Sequence, residues 1–273
     1  MFADFSIVLG VYSLVLLILA TTVFLAASLK QDNSIMDIVY GPLFLVATSA
    51  TILLLNLFHP LAYIVLGLVA LWSLRLGVRI YRKNHGAPED ARYAKWRTEW
   101  QEKGQLYFLV RSYLQVNILQ AIVILVVSLP IILTLSYDGE WFDELLLILS
   151  TILGAIVFLV GLVIESLADY QLDRFIARKK AGTETATIMK TGLFRYSRRP
   201  NYFGESLIWW GIAIIALPLP FGWLALLSPL TITYIVTRVT GPMLEKIFLE
   251  RYPAEYTAYM KETSYFIPRP PKT

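Results

Sequence analysis

Residues 144–168 read ELLLILSTILGAIVFLVGLVIESLA. Between Glu144 and Glu165 there is no charge, and the composition is almost wholly aliphatic. Roughly 20 helical residues rise about 30 Å, the thickness of a bilayer's hydrocarbon core. The stretch is therefore expected to span a membrane. Its helix is expected to run on to about residue 180, carrying Glu165, Asp169, Gln171, Asp173 and Arg174 at its exit from the core. Glu165 and Asp169 are four apart and share a face.

Working outward, six more segments are long and apolar enough to cross. They lie near 5–28, 37–57, 60–80, 112–135, 203–218 and 221–240. The first has no basic residues before it and no clear cleavage site, so it reads as a span rather than a leader. Leu217-Pro218-Leu219-Pro220-Phe221-Gly222 makes a tight turn between the last two. The expected fold is all-α: a polytopic membrane protein, seven transmembrane helices in one integral domain over 1–273. Composition agrees, with 57% apolar and only 16% charged residues in 273, where soluble chains carry about 25% charged.

Charge orients the bundle. With the N-terminus outside and the C-terminus cytoplasmic, all 24 Lys and Arg fall on the cytoplasmic side or at the cytoplasmic ends of spans. The 136–143 connection, Ser-Tyr-Asp-Gly-Glu-Trp-Phe-Asp, is acidic and falls outside. The net charge of +4 thus reflects topology, with no nucleic-acid partner. The bilayer itself is the expected partner. In the 82–107 segment, Pro88-Glu89-Asp90 starts a short amphipathic helix at headgroup level, with Trp96 and Trp100 as anchors or as part of a cofactor lid.

Several chemistries are excluded. There is no cysteine, and the two histidines, His59 and His85, lie far apart, so no metal site is expected. GxSxG, HExxH, the Walker lysine loop and GxGxxG are all missing from the sequence. What stands out is Thr191–Trp210, TGLFRYSRRPNYFGESLIWW, where Arg195, Arg198 and Arg199 meet Tyr196, Asn201, Tyr202 and Glu205 beside an apolar run. Lipid contact alone does not call for Asn, Tyr and Glu among arginines. Guanidinium groups grip phosphates bidentately, carboxylates hold ribose hydroxyls, and Asn holds an amide. That set suits a nicotinamide cofactor, and an adenosyl cofactor less well because it lacks phosphate. Lys179 and Lys190 add cationic charge nearby, which favours the phosphorylated form of the cofactor. Tyr252, Tyr256 and Tyr259 share a face in the tail and read either as an interfacial belt or as a pocket wall.

Gly192-Leu193-Phe194-Arg195-Tyr196-Ser197-Arg198-Arg199-Pro200-Asn201-Tyr202-Phe203-Gly204-Glu205, with Trp209-Trp210-Gly211, resembles the C-terminal signature of the steroid 5-alpha-reductase superfamily, closest to its bacterial integral membrane branch. Ala168-Asp169-Tyr170-Gln171-Leu172, Leu71–Leu76, Glu89–Tyr93 and the tail Glu245 with Phe266–Arg269 extend the likeness. The resemblance implies a multi-pass protein of the bacterial inner membrane that binds NADPH through residues 141–273. An apolar enone would enter the spans of residues 1–140 and have its C=C bond reduced. It implies cofactor contacts from Asp169, Arg195, Tyr196, Asn201 and Glu205, with Arg238 and Glu245 as looser candidates. Arg198, Arg199 and Tyr202 join that set on charge and position.

The likeness departs from the steroid enzymes at the substrate. Their Gln–Glu pair and tyrosine are not reproduced; Asp37, Tyr40, Trp72 and Arg75 stand nearest. These four are the expected catalytic residues, polarising the acceptor carbonyl. The alternative for two of them is a structural Asp37–Arg75 pair. Arg198, Pro200, Tyr202 and Gly204 also match the Arg-x-Pro-x-Tyr-x-Gly pattern of isoprenylcysteine carboxyl methyltransferases. That likeness implies an S-adenosylmethionine enzyme as the second reading. A non-enzymatic lipid-binding protein is the third.

Overall fold

The computed structural model describes residues 4–86, 88–137, 139 and 144–271. Asp138, Glu140, Trp141, Phe142 and Asp143 of the expected outside connection lie beyond the described residues. Among the described residues all regular structure is helical, apart from one bridge between Ser197 and Ser264. The helices are α1 Phe5–Lys30, α2 Ile35–Leu55, α3 Pro60–Asn84, α4 Ala91–Gln101, α5 Gln105–Val127, α6 Leu129–Leu135, α7 Leu145–Lys180, α8 Pro200–Ala216, α9 Gly222–Arg251 and α10 Pro253–Glu262. The chain divides into two compact units: Met1–Ile148 with Ala216–Ala225, and Leu149–Ile215 with Leu226–Thr273.

Six of these helices, α1, α2, α3, α5, α7 and α9, are long and apolar enough to cross a membrane. The segment expected as a seventh span forms α8. At 17 residues it rises only about 26 Å, a little short of a bilayer core. Leu149, Leu153, Ile156, Val160 and Val163 of α7 are all about half exposed. They recur at helical spacing, so this stripe requires apolar surroundings. The chain has the build of a multi-pass membrane protein.

In the first unit each helix start carries its own signal. The Asp4 carboxylate accepts the Ser6 N–H at 3.0 Å and caps α1. His59 Nδ1 accepts the Ala62 N–H at 3.3 Å, with Pro60 in the first turn of α3. Asp90 accepts the Arg92 N–H at 2.9 Å and caps α4. Pro42, inside α2, packs against Gly77 of α3, where an added Cβ would meet its ring at 3.0 Å. The Gly41-Pro42 step is thus seated against a neighbour that has no side chain there.

One end of this unit is stitched by polar contacts. The Asn33 N–H donates to Glu89 at 2.9 Å, the Asp90 N–H to Ser34 Oγ at 2.8 Å, and Arg97 to the Gln31 carbonyl at 2.6 Å. Arg97 also pairs with Glu89 at 2.7 Å. Asn33 donates to Ser112 Oγ at 3.2 Å, at the start of a π-helical stretch, Ser112–Ile118, within α5. The α1–α2 turn, α4 and the start of α5 therefore meet at one end.

In the second unit a glycine seam joins α7 to α8. A Cβ on Gly154 would sit 2.4 Å from the Gly211 carbonyl, and one on Gly161 2.6 Å from the Gly204 carbonyl. One on Gly204 would lie 2.6 Å from the Glu165 backbone nitrogen. Both pairs are seven residues apart, so small residues face each other at two levels and the backbones approach closely. Past the seam, α10 packs on the loop that follows α7. Tyr256 and Tyr259 are buried with Ile188, and Phe248, Leu249, Tyr252 and Met260 pack on them. The tail tyrosines are a small apolar core rather than a belt.

Candidate functional site

The Arg/Tyr segment leaves α7 through a loop, makes a 3-10 turn over Gly192–Arg195, and enters α8 at Pro200. Gly192 takes a left-handed φ of 62°, and a Cβ there would meet the Gln171 amide at 2.4 Å. Gln171 Oε1 accepts the Leu193 N–H at 2.9 Å, pinning the loop to α7.

The C-terminal tail lies along the other side of this loop. The Arg198 N–H donates to the Ser264 carbonyl at 2.8 Å, and the Arg269 N–H to the Tyr196 carbonyl at 2.9 Å. Ser197 Oγ donates to the Phe266 carbonyl at 2.8 Å and accepts the Arg199 N–H at 3.1 Å. The Tyr259 hydroxyl donates to the Phe194 carbonyl at 2.5 Å. The Tyr265 hydroxyl donates to the Thr237 carbonyl at 3.0 Å, over a π-helical stretch of α9, Ile235–Thr240. Burial pushes the Tyr256, Tyr259 and Tyr265 phenols up, so they act as neutral donors here.

Two adjacent arginines have opposite roles in this frame. Arg198 is 7% exposed. Its Nε donates to Glu245 at 2.7 Å, and Nη1 donates to the Thr263 carbonyl at 2.6 Å and the Met260 carbonyl at 3.2 Å. Arg198 and Glu245 thus clamp the tail to α9. Arg199 instead lies with its guanidinium 5.7 Å from the Phe248 ring centre and 6.0 Å from that of Tyr202. Its Nε and Nη2 are buried, and among the described residues they have no hydrogen-bond acceptor. Leaving buried donors unsatisfied costs about 1–3 kcal/mol each, and more when charged. An anion with two acceptor oxygens relieves that cost.

The remaining expected cofactor residues fall around this loop. Arg195 and Tyr196 are exposed on it. Asn201 and Tyr202 sit half-buried in the first turn of α8, and Glu205 follows one turn later on the Asn201 face. Asp169 and Glu165 are buried on α7. Arg238 is exposed on the π-helical stretch of α9. Phe248, Gln171 and Tyr265 were not singled out from sequence. Gln171 stood in the polar cluster at the exit of α7, but Phe248 and Tyr265 give no signal distinct from other apolar or aromatic residues.

In the first unit the four expected catalytic residues form two groups. Tyr40 packs edge-on to Phe44, and Phe44 edge-on to Trp72, each with ring centres 5.4 Å apart. Trp72 is buried and Arg75, one turn on, half-buried. Asp37 faces elsewhere. It accepts the Tyr93 hydroxyl at 2.7 Å, Arg92 Nη2 at 3.1 Å and Gln120 Nε2 at 3.3 Å. Its ion pair is with Arg92 of α4, not with Arg75. Burial, with the Asp37 charge and hydrogen bond, raises the Tyr93 phenol well above its ordinary value. The Asp90 hydrogen bond raises the Arg92 guanidinium further. Asp37 is therefore an acceptor in this structure. Gln120 had a sequence signal, an amide inside an apolar run.

A relative, an uncharacterized protein of Schizosaccharomyces pombe, is 29% identical over 233 residues, covering 74% of this chain and 62% of the relative. This chain thus spans under two thirds of that protein's length. No solved structure matches. Residues 23–263 match the family described as "Protein of unknown function (DUF1295)", and the chain belongs to that family.

Proposed function

We propose that this protein is an NADPH-dependent reductase of a conjugated C=C bond in an apolar, lipid-like enone, working within the membrane. The observation that carries the reading is Arg199, a buried guanidinium with two unsatisfied donors in an aromatic cage. Those donors fit a phosphate, which a nicotinamide dinucleotide has and S-adenosylmethionine lacks. The resemblance to steroid 5-alpha-reductases supports it, as does membership of a family that groups with such proteins. The orientation that goes with it has the stitched, basic ends of both units in the cytoplasm.

Bound NADPH would supply the hydride. The chain's own part is to hold and orient it. Arg199, with Arg195 beside it, would grip the pyrophosphate. Asp169 and Glu205 would take ribose hydroxyls, and Asn201 the carboxamide. Arg198 and Glu245 would act at one remove, fixing the tail that frames the loop. On the substrate side, Tyr40, Trp72 and Arg75 remain the groups suited to a carbonyl. Arg75 fits best, because a guanidinium stabilises developing negative charge on oxygen. Asp37, already accepting three hydrogen bonds, would position α4 instead.

The test is NADPH consumption by the purified protein in nanodiscs over a panel of apolar enones. Saturable oxidation with one of them, lost in Arg75→Met, is the expected result. Methyl transfer from S-adenosylmethionine to a lipid acceptor, with no enone consuming NADPH, would replace this reading with the methyltransferase.

A further inference from the structure

A second pocket lies in the same unit, on the outer end of α7. It has a volume of about 240 Å³ and is lined by Tyr170, Gln171, Arg174, Arg178, Met189, Thr191 and Gly192. The helix of 36 residues rises about 54 Å, so its last turns stand beyond a core of about 30 Å. The pocket therefore opens in water or at the headgroups. Its size falls below the 300–1,000 Å³ usual for whole small-molecule sites. It suits one end of a larger ligand.

The lining is specific. Tyr170, Arg174 and Arg178 are four apart, so one helix face carries a ring and two guanidinium groups. Arg174 lies 5.7 Å over the Tyr170 ring and donates to its hydroxyl at 3.2 Å. Among the described residues no carboxylate neutralises it. Arg178 pairs with Glu184 at 3.0 Å through Nη2, which leaves its other donors available. The net charge of these three groups is +1. Opposite them, Gln171 Oε1 is committed to the Leu193 N–H. Its amide N–H groups remain as donors, next to the Thr191 hydroxyl and the Met189 thioether. The far wall, Thr191-Gly192, leads directly into the Arg195–Arg199 loop.

We infer that this pocket takes the phosphomonoester end of the nucleotide, the ribose 2′-phosphate with part of its base, and so selects NADPH over NADH. The inference rests on the nucleotide reading above. A phosphomonoester carries about −1.5 to −2 at neutral pH. Two forked guanidinium groups on one face match its oxygens better than they match a neutral ribose hydroxyl. Tyr170, Met189 and the Gln171 amide offer an apolar wall and donors for a base edge. Arg199 and this pocket then hold different phosphates of one ligand, at the two ends of one loop.

Binding decides it without turnover. Melting midpoints and titrations are measured in phosphatidylcholine nanodiscs for NADPH, NADH, adenosine 2′,5′-bisphosphate and ADP. Wild type should prefer each 2′-phosphorylated ligand by at least tenfold. Arg174→Ala and Arg178→Ala should each erase most of that preference while leaving NADH affinity and the ligand-free midpoint unchanged. Glu184→Gln, which releases Arg178, should raise it. If the two arginine variants bind NADPH with the preference intact, this inference is overturned and the nucleotide reading survives. If wild type binds none of the four, both fall. A further arm adds phosphatidic acid to the nanodiscs. If Arg174→Ala loses a stabilisation by that lipid while nucleotide binding is unchanged, the pocket serves a lipid phosphate and the inference is wrong.

Discussion

Replacing Arg199 by methionine should separate binding from stability. Methionine keeps most of the unbranched stem that packs between Tyr202 and Phe248 but removes the guanidinium. In the ligand-free protein two competing terms change. Removing two buried, unsatisfied donors relieves about 1–3 kcal/mol each, and losing two cation–π contacts costs about 0.5–2 kcal/mol each. The sum lies near zero or is slightly stabilising. In the bound protein, two charge-assisted hydrogen bonds worth about 1.5–3 kcal/mol each disappear. Even the low end, about 3 kcal/mol, weakens NADPH by more than 100-fold. Arg198→Met is the control. It leaves Glu245 without its partner in a site where Arg198 is 7% and Glu245 14% exposed, and breaking a buried pair costs about 3–5 kcal/mol. The assay is a melting midpoint without ligand and an NADPH titration, on both variants. Arg199→Met should melt like wild type and fail to bind, whereas Arg198→Met should melt early. If Arg199→Met melts as low as Arg198→Met while keeping wild-type NADPH affinity, Arg199 is a brace and the argument from its unsatisfied donors is refuted.

Other expectations follow from the same contacts. Gly204→Leu should abolish folded yield, read by size-exclusion recovery, because even a Cβ there meets the Glu165 backbone at 2.6 Å. Tyr265→Phe should cost about 1 kcal/mol and speed proteolysis of the tail, since the Thr237 carbonyl loses its donor. The neutral Tyr256, Tyr259 and Tyr265 phenols have raised folded pKa values. Their contribution is complete below the unfolded value of about 10 and is lost as pH rises from there through the folded values, so the tail should loosen in alkali. Tail accessibility to protease from pH 8 to 11 checks the sign. A reporter fused after Thr273 should read from the cytoplasm, and a reporter signal from the outside would reverse the topology.

The spans were legible because each depends only on local composition. Helices α1, α2, α3, α5, α7 and α9 needed no tertiary information, and α4 announced itself through Asp90. The miscount came at α8, where an apolar run of 17 helical residues reads as a span once its turn, Leu217–Gly222, is counted with it. The motif around Arg195 was legible as a polar cluster, but the division of labour inside it was not. Arg198 and Arg199 are adjacent and identical in charge. Their roles are set by Glu245 and Phe248, about 50 positions away, and by a tail that folds back from Thr263. Asp37 was misjudged for a similar reason. Its partners Arg92, Tyr93 and Gln120 come from α4 and α5, more than 50 residues downstream.

The most direct test of the central claim is ligand stabilisation of the purified wild-type protein. A ligand that binds only the folded state at 100 times its Kd adds about 2.7 kcal/mol. NADPH should raise the melting midpoint in a concentration-dependent way, while S-adenosylmethionine leaves it unchanged. A shift with S-adenosylmethionine and none with NADPH would contradict the account.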